Sequence, residues 1–529
     1  MLNRRNFLKT SALLGSGALV NNRYPFTAIK GKCRNFSLCT NTATLNSHPD
    51  FLNLVVNSGI TDIWMPVFLN GYWPYTFEDI RLWKKRFEQK GVEVHSLSVP
   101  FGHPGNSLGG SPDFESTPKH WPRGVDIDGN PYSGTSVHSV ITDENISVIQ
   151  KVSTMGFKKL FLDDDFRLAR TPGAIGGCFC GEHQKEFLGK YGYGEKDWEQ
   201  LKQHIKDQNL DSRLKDWINF NCDQLTGSFK KQQAAAPGVA LGIMVMYLGS
   251  EKAGIRLSDY KGSMLRVGEL MFDDRSFAPV KGKTDELFSA LFHRRFVSPE
   301  MAYSETTAYP PDKLSAKNMA AKLHISTIAD IRNTMMMSGL EPFPFSHWRT
   351  LGPAMKKAAA LHEITAGQIP RGPFKHYWGE RSRMVGDDKP YSLFLASGIP
   401  FEVTDTPAAD GWTFLSDFDA DDVASGRLKS KGTTFANGSA TGKKSDGLRF
   451  VAENLDELYA FKHEVIPKLA GTPYVEEDKP VVCAWYPKIK SVLLWNLSEN
   501  KESFTVNLDG KKRSLEIEGL DSELLSVEE

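Results

Sequence analysis

The sequence predicts a (β/α)₈ barrel followed by two smaller modules. The chain has 529 residues, which is enough for a barrel of about 250 residues or more and for additional domains. From about residue 28, short β-branched or aromatic runs alternate with longer amphipathic segments, a pattern typical of parallel βα units. Eight such units are present, and no glycine-rich phosphate loop follows the first strand, so an open dinucleotide-binding sheet is disfavoured.

The barrel is expected to span residues 28–370. Its predicted strands are residues 28–38, 62–69, 92–100, 158–164, 239–247, 266–272, 300–304 and 342–346. Helical periodicity falls between them. Residues 76–90 place Ile80, Trp83 and Phe87 on one face, residues 316–337 form the predicted helix before the last strand, and residues 351–367 form the one after it.

Two modules are predicted after the barrel. Residues 371–475 are expected to form a small α/β module, with a strand at 391–403 broken by Gly398-Ile399-Pro400, an acidic loop at 413–423 and an exposed loop or linker at 426–447. Residues 476–529 alternate apolar and polar side chains and predict an antiparallel β domain. Its strands are residues 481–486, 491–497, 503–508 and 513–517, with a turn at Asp509-Gly510.

The first 25 residues are predicted to be an export signal. Residues 3–9 read NRRNFLK and precede a short apolar run at 10–20, which resembles a twin-arginine signal. This run is too short to cross a bilayer, and no other stretch is long and apolar enough. The protein is therefore expected to be periplasmic or extracellular, without stable membrane insertion.

The charge and the composition limit the classes of molecule that the protein is expected to bind. The 64 basic and 64 acidic side chains cancel, which disfavours binding to nucleic acid or to an anionic membrane. The 11 Trp, 15 Tyr and 32 Phe residues suit a pocket for the faces of sugars, and equally a large core.

The six cysteines match no zinc-site spacing, because Cys178-Phe179-Cys180 is one residue short of a CxxC motif. We therefore expect no metal and no cofactor. Most of the thiols should be buried, although an oxidising compartment would permit a bridge such as Cys33 with Cys39.

Active sites of such barrels lie at the carboxyl ends of the strands, so acidic residues at those positions are the first candidates. Strand four runs into Asp163, Asp164 and Asp165, followed by Arg167. Adjacent carboxylates repel, so one of them is expected to keep a proton near neutral pH and to act as an acid. A helix N-terminus rich in acids, or a calcium-binding loop, would give the same pattern.

A second carboxyl group is expected from strand seven or strand six. Glu305 follows strand seven, whereas Glu269, Asp273 and Asp274 belong to strand six and compete for the role. Two carboxyl groups on opposite sides of a glycosidic bond can cleave it, one as acid and one as nucleophile or base. The side chains predicted to contact the substrate are Arg167, Asp163, His95, Trp64, Tyr303, His347 and Trp348.

Residues 161–167 read FLDDDFR, residues 177–183 read GCFCGEH with Phe187 beyond, and residues 217–220 read WINF. These runs resemble the family 42 β-galactosidase-like group of barrel glycoside hydrolases, and the resemblance covers roughly residues 30–370. It implies a nucleophilic glutamate at Glu305. It also implies an acid/base glutamate after an asparagine on strand four, where this chain has Asp164-Asp165.

The leading hypothesis is an exported glycoside hydrolase acting on plant, algal or host glycans. Asp165 would be the general acid/base, Glu305 the nucleophile or base, and Asp164 and Arg167 would orient the sugar. An arrangement similar to that of α-galactosidases would instead use an aspartate nucleophile on strand four and Asp273 or Asp274 as acid.

A different class of function also fits the sequence, namely a carbohydrate-binding barrel without hydrolytic activity, because the Asn-Glu pair is missing. An exported oxidoreductase is disfavoured, since the sequence has no dinucleotide fingerprint, haem motif or iron–sulfur cysteine set.

Overall fold

Residues 35–337 build a closed barrel of eight parallel strands in the order β1 to β8. β1 pairs with β2 through Ser37 and Asp62, and it closes the barrel on β8 through Asn35 and Asn333. The strands are β1 Asn35–Cys39, β2 Asp62–Leu69, β3 Glu93–Val99, β4 Lys159–Leu162, β5 Ala240–Met246, β6 Met264–Gly268, β7 Ala302–Thr307 and β8 Asn333–Met337. The predicted fold class is therefore confirmed.

In this computed structural model the described residues are 33–101, 117–132, 134–163, 166–171, 173–246, 248–268, 271–339, 341–409, 411–429, 433–436 and 448–527. The predicted export signal at 1–25 lies outside them. None of the helices in the described residues is long and apolar enough to cross a membrane.

Helices cover the outside of the barrel. They are α1 Thr42–Ser47, α2 Phe51–Ser58, α3 Phe77–Glu88, α4 Ser139–Thr154, α5 Gly181–Tyr191, α6 Glu195–Lys206, α7 Ser212–Ala235, α8 Asp274–Phe277, α9 Val280–His293, α10 Ala316–Ile328 and α11 Trp348–Thr365. In α3 the Thr76 side chain caps the helix by accepting a hydrogen bond from the Asp79 amide. The predicted apolar face of Ile80, Trp83 and Phe87 is buried.

The eighth strand is not where the sequence predicts it. It is Asn333–Met337, inside the span predicted as helix, whereas the strand predicted at 342–346 ends in a 3₁₀ turn at Phe345–His347. The helix stops at Ile328, and Asp330 then turns the chain with a left-handed φ of 51°. Because no glycine or proline marks this turn and methionine favours helices, the helical pattern continues through the strand in the sequence.

All six cysteines are free thiols. Cys33 precedes β1 and Cys39 ends it, so the extended strand separates them by about 3.3 Å per residue and the bridge between them is excluded.

After the barrel, a second sheet of five parallel strands has the order β10-β9-β11-β12-β13. Its strands are β9 Phe374–Tyr377, β10 Phe401–Thr404, β11 Trp412–Leu415, β12 Thr433–Ala436 and β13 Leu448–Phe450, and its helices are α12 Glu380–Val385, α13 Asp417–Ala424 and α14 Leu455–Val465.

Three local predictions for this segment were wrong. The acidic stretch at 413–423 belongs mostly to β11 and α13, where Ser416 caps the helix and the acids lie in its first turns. The predicted strand at 391–403 is a 3₁₀ turn followed by β10, and the predicted loop at 426–447 contains β12.

The last segment forms two antiparallel sheets of three strands, β14-β17-β18 and β15-β16-β19. The strands are β14 Tyr474–Val475, β15 Val481–Tyr486, β16 Ser491–Asn496, β17 Glu502–Leu508, β18 Lys511–Ile517 and β19 Ser522–Ser526. Asp509 and Gly510 both have positive φ, 50° and 88°, so the predicted tight turn between β17 and β18 is confirmed.

A buried ion pair fastens the second sheet to the mouth of the barrel. Lys252, in the loop after β5, lies 2.5 Å from Asp388, which follows α12, and neither side chain is exposed by more than 2%. The other carboxylate oxygen of Asp388 accepts a hydrogen bond from the Gly173 amide in the loop after β4. Two loops at the carboxyl ends of the barrel strands are thus held by one residue.

Candidate active site

Glu305 lies inside the barrel near the end of β7. Its side chain is 3% exposed, and Thr307, on the same face of the strand, donates a hydrogen bond to it through its hydroxyl group. The Glu305 Oε2 atom is 2.9 Å from Nε of Arg266, close enough for an ion pair but without the alignment of a hydrogen bond. The sequence-predicted carboxylate is therefore buried and paired with a cation.

Arg266 is the residue that the sequence analysis missed. It comes from the middle of β6 and is fully buried, and its guanidinium group also forms an ion pair with Asp163, directly after β4. The group lies 5.4 Å from the ring centre of Phe161 and 3.0 Å from the sulfur atom of Met335. One cation therefore connects the ends of β4 and β7, the two strands on which the sequence places the catalytic carboxylates.

The remaining carboxylates predicted for strand four, Asp164 and Asp165, lie outside the described residues, as does Glu269, which the sequence analysis assigns to strand six. Their neighbours are described. The Asp163 amide donates to the Ser98 carbonyl oxygen at 2.7 Å, and the Phe166 amide donates to the Asp163 carbonyl oxygen at 2.9 Å. Arg167 is 5% exposed and donates to the Ala169 carbonyl oxygen.

The strand-six competitors Asp273 and Asp274 have structural partners. Asp273 caps α8, and its hydrogen bonds with Ser276 lower the pKa of its carboxyl group. Asp274 Oδ1 accepts three hydrogen bonds, from the amide and hydroxyl of Ser315 at 2.8 and 3.1 Å and from the Asn318 amide group at 2.8 Å. Both carboxylates are thus engaged at helix N-termini.

Trp64 and Tyr303 pack inside the barrel below this ion-pair system. Together with Phe161, Met264 and Met335 they form one apolar cluster, and the Trp64 ring centre is 4.5 Å from that of Phe161. Trp64 has no exposed surface, and burial raises the pKa of Tyr303. Their substrate contacts remain predictions, since the structure shows a packing role for each.

His95 lies near the start of β3. Its Nε2 atom is 3.1 Å from Asp62, the first residue of β2, and 3.3 Å from Lys159, the first residue of β4. It therefore faces the amino-terminal end of the barrel, and the structure does not bring it together with Glu305.

His347 and Trp348 follow β8 and flank the mouth. Trp348 is 2% exposed and packs against Phe51 and Phe343. His347 is half-buried, and burial lowers its pKa while Asp274 opposes the change. The loops after β6 and β8 thus approach one another at this histidine.

A group of metal-ligating side chains lies beside the mouth. His138, Cys178, Cys180 and His183, called the Cys-His cluster below, have ligand atoms that all lie within 4.8 Å of one another. Two thiolates and two imidazoles are a set typical of tetrahedral zinc.

The surroundings of the Cys-His cluster fit a metal. Nδ1 of His138 is 3.0 Å from a Glu182 carboxylate oxygen, which leaves its buried Nε2 without a hydrogen-bond partner. Nε2 of His183 lies 3.2 Å from the Val137 carbonyl oxygen, and its Nδ1 lies 3.1 Å from the sulfur atom of Cys180. A histidine ligand commonly uses one ring nitrogen for the metal and the other for such a partner.

Hydrogen bonding from Cys178 and from His183 lowers the pKa of Cys180, which favours the thiolate form that binds metals. No metal is expected from the sequence, because the cysteines do not have a CxxC spacing. The signal was the run Cys178-x-Cys180-x-x-His183, which a distant histidine completes.

A second acidic group with a histidine, Asp62, Glu93 and His95, also has ligand atoms within 4.8 Å. The Lys159 ammonium group lies 3.3 Å from His95 and 3.6 Å from Glu93. This charge stands where a cation would bind, so the group is an ion-pair cluster.

A cavity of about 460 Å³ lies apart from Glu305, between the loop at residues 127–129 and helices α5 and α6. Phe179 and Trp198 line it with polar side chains such as Gln184 and Lys202, and it contains none of the predicted catalytic residues. A cavity alone supplies no reacting groups, so the buried carboxylates are the stronger candidates for an active site.

No known family model matches the chain, and no curated protein sequence does. Solved structures do. A cold-adapted β-galactosidase from Rahnella sp. R3 is 11% identical, with a TM-score of 0.60 over 95% of this chain and 99% of that one. A β-galactosidase from Bacillus circulans sp. alkalophilus is 10% identical, with a TM-score of 0.58 over 93% and 98%.

An α-L-fucosidase, isoenzyme 2 from Paenibacillus thiaminolyticus, is 10% identical and aligns with a TM-score of 0.54 over 90% of this chain and 93% of that one. At such low identity the likeness shows a shared fold. It extends over nearly the whole chain, so the barrel and the modules after it recur together in these glycosidases.

Proposed function

We propose that the protein is an exported glycoside hydrolase that cleaves the O-glycosidic bonds of oligo- or polysaccharides with a pair of carboxyl groups from β4 and β7. One observation carries the proposal. The buried carboxylate of Glu305 on β7 is linked through Arg266 to Asp163 at the end of β4, and the catalytic end of such a barrel is the carboxyl end of its strands.

The roles follow from the charges. Glu305, paired with a guanidinium group, is suited to act as an anion, either attacking the anomeric carbon or taking a proton from water. Asp165 donates its proton to the glycosidic oxygen as the bond from the anomeric carbon to that oxygen breaks. If Glu305 attacks the anomeric carbon, water then cleaves the glycosyl ester and gives a proton to Asp165, which frees the Glu305 carboxylate. If Glu305 instead takes the proton from water, it releases that proton to solvent and Asp165 is reprotonated from solvent. Thr307 and Arg266 fix the orientation of the Glu305 carboxylate.

Two further observations support this function over its alternatives. The structural neighbours named above are β-galactosidases and an α-L-fucosidase, so this fold is one that glycosidases use. Asp273 and Asp274 are engaged at helix N-termini, which favours Glu305 over strand six as the source of the second carboxyl group.

The test uses protein without its first 25 residues, a panel of α- and β-linked aryl glycosides, and plant and algal oligosaccharides. Released sugar is followed for the wild type and for Asp165→Asn and Glu305→Gln. Glu300→Gln is the matched control, because Glu300 is exposed just before the same strand and pairs with Arg332. We expect turnover to be lost in both active-site variants and kept in the control.

Other outcomes are equally informative. Turnover that survives Glu305→Gln would transfer the second carboxyl role to strand six. Sugar binding without turnover of any substrate would contradict the hydrolase and leave a carbohydrate-binding barrel.

A further inference from the structure

The exposed aromatic rings of the described residues all belong to the mouth of the barrel. Among their large apolar side chains, the exposed aromatic ones are Tyr72, Tyr309 and Phe345, at 41%, 49% and 40%. The other large exposed apolar side chains are aliphatic and lie on outer helices or just beyond one. They are Leu82, Val140, Ile364 and Ile369. The most exposed aromatic side chains of the described residues are thus those that follow strands at the mouth, where a substrate would arrive.

The three rings lie along one arc of the rim. Tyr72 follows β2, Tyr309 follows β7 and Phe345 follows β8, and the closed strand order makes β7, β8, β1 and β2 neighbours. Three gaps of about 4.8 Å separate β7 from β2, so the strands that the rings follow span about 14 Å of the rim. That span exceeds what one sugar unit can contact.

Each ring stands on a fixed support. Phe345 stacks on Phe51 at a centroid distance of 5.0 Å and an angle of 15°, and the His48 ring meets it edge-on at 5.4 Å. One face of Phe345 is therefore backed and held. Ordering a side chain costs free energy on binding, so a ring already held loses less.

The other two rings are held through their backbone. Tyr72 exchanges two hydrogen bonds of 2.9 Å with Leu69, the last residue of β2. The Tyr309 amide donates to the Phe272 carbonyl oxygen, and the preceding amide of Ala308 donates to Met337 at the end of β8, both at 3.0 Å. These rings are carried by the rigid barrel rather than by long loops.

We propose that this aromatic rim, formed by Tyr72, Tyr309 and Phe345, binds the sugar units of an oligosaccharide chain beyond the bond that is cleaved. The inference rests on the proposed function and narrows its substrate class to chains of several units. Flat rings match the C–H faces of pyranoses, whereas a protein partner would bury aliphatic side chains as readily, and none of the exposed aliphatic ones lies on this arc.

The test compares short and long substrates. Phe345→Ala and Tyr309→Ala are assayed with an aryl monosaccharide glycoside that the wild type hydrolyses, and with β-1,4-linked galacto-, gluco- and xylo-oligosaccharides from dimer to hexamer. Leu82→Ala is the matched control, because Leu82 is equally exposed at 41% but lies on α3. Circular dichroism verifies that each variant is folded.

Aromatic contacts of this kind contribute enough for a loss of about 2- to 10-fold per ring. We expect each rim variant to weaken the binding or raise the KM of the hexamer by that factor, with little effect on the dimer or the aryl glycoside. Unchanged hexamer values in folded variants overturn the inference, and so does a wild type that binds no hexamer more tightly than its dimer.

Failure of the proposed function looks different. In that case Glu305→Gln turns over the aryl glycoside as the wild type does, or nothing is hydrolysed. Binding of the oligosaccharides to the Glu305→Gln variant, measured by calorimetry, still reports on the rim under either result.

Discussion

Replacing Arg266 by methionine tests the central ion-pair system most directly. Methionine keeps much of the length of the side chain and suits the neighbouring Phe161 ring and Met335 sulfur. The substitution removes the only charge that the structure shows between Asp163 and Glu305, each about 3% exposed. Two buried carboxylates are then left without this partner.

The expected loss is large. Removing one partner of a buried ion pair typically costs about 3–5 kcal/mol, and two carboxylates lose their partner here, so we expect the free energy of unfolding to fall by at least about 3 kcal/mol. Urea-induced unfolding at pH 7 measures it. A buried carboxylate without a cationic partner takes up a proton more readily, which removes its charge. The loss in free energy of unfolding relative to the wild type should therefore become smaller as the pH is lowered towards 5.

A compensating variant separates charge from packing. In Arg266→Met with Asp163→Asn and Glu305→Gln, no buried charge of the system remains, and such replacements are often neutral. We expect it to regain about 2 kcal/mol or more over Arg266→Met alone. Equal stability of the two variants, or wild-type stability of Arg266→Met, would refute the electrostatic account of this site.

Three further predictions concern other parts of the chain. Burial lowers the pKa of four histidines to about 4; they are His293, His324, His362 and His376. In the unfolded chain the histidine pKa is about 6.5, so as the pH falls the unfolded chain takes up protons before the folded one does. The free energy of unfolding should therefore be greatest above pH 6.5 and fall by up to about 1.4 kcal/mol per pH unit per histidine towards pH 4. Urea midpoints that do not change between pH 7 and 5 would contradict this. Zinc added to chelator-treated protein should bind at one equivalent and raise the Tm; Cys180→Ser should abolish the effect, and Cys483→Ser, buried elsewhere, should not. Replacing Arg4 and Arg5 by lysine should retain the full chain in the cytoplasm, as followed by cell fractionation, and unchanged export would exclude the twin-arginine route.

The barrel could be predicted from the sequence because most of its strands and helices have a recognisable pattern within their own residues. Most strands read as short apolar runs, and the face of α3 follows directly from the spacing of Ile80, Trp83 and Phe87. The prediction of β8 was wrong because its local sequence is ambiguous. Met335 and its neighbours are compatible with a helix, and only their pairing with β1 and β7 makes them a strand.

The candidate site could be assembled from the sequence only in part, for the same reason, and its catalytic roles stay predictions. Glu305 is a candidate because it follows the predicted seventh strand, whereas Arg266 is the first residue of the predicted sixth strand, where a charge is expected to be exposed. Its partners on β4 and β7 are set by the closure of the barrel. The Cys-His cluster likewise depends on His138, which only the folded chain brings to Cys178 and Cys180.

The mouth therefore divides into two parts with different chemistry. The ion-pair system joins the ends of β4 and β7 through Arg266 in the middle of β6, whereas the exposed aromatic rings follow β7, β8 and β2. Glu305 and Tyr309, four positions apart on and after β7, stand where the two parts meet. A buried carboxylate gains strength from exclusion of water, and a ring that holds sugar units must stay open to solvent until they bind. The two requirements conflict at any one position, so a barrel that cleaves a long sugar chain would need them at separate places on the rim. This separation predicts that substitutions in the aromatic rim alter the preference for chain length, whereas the proposed reaction still depends on Glu305.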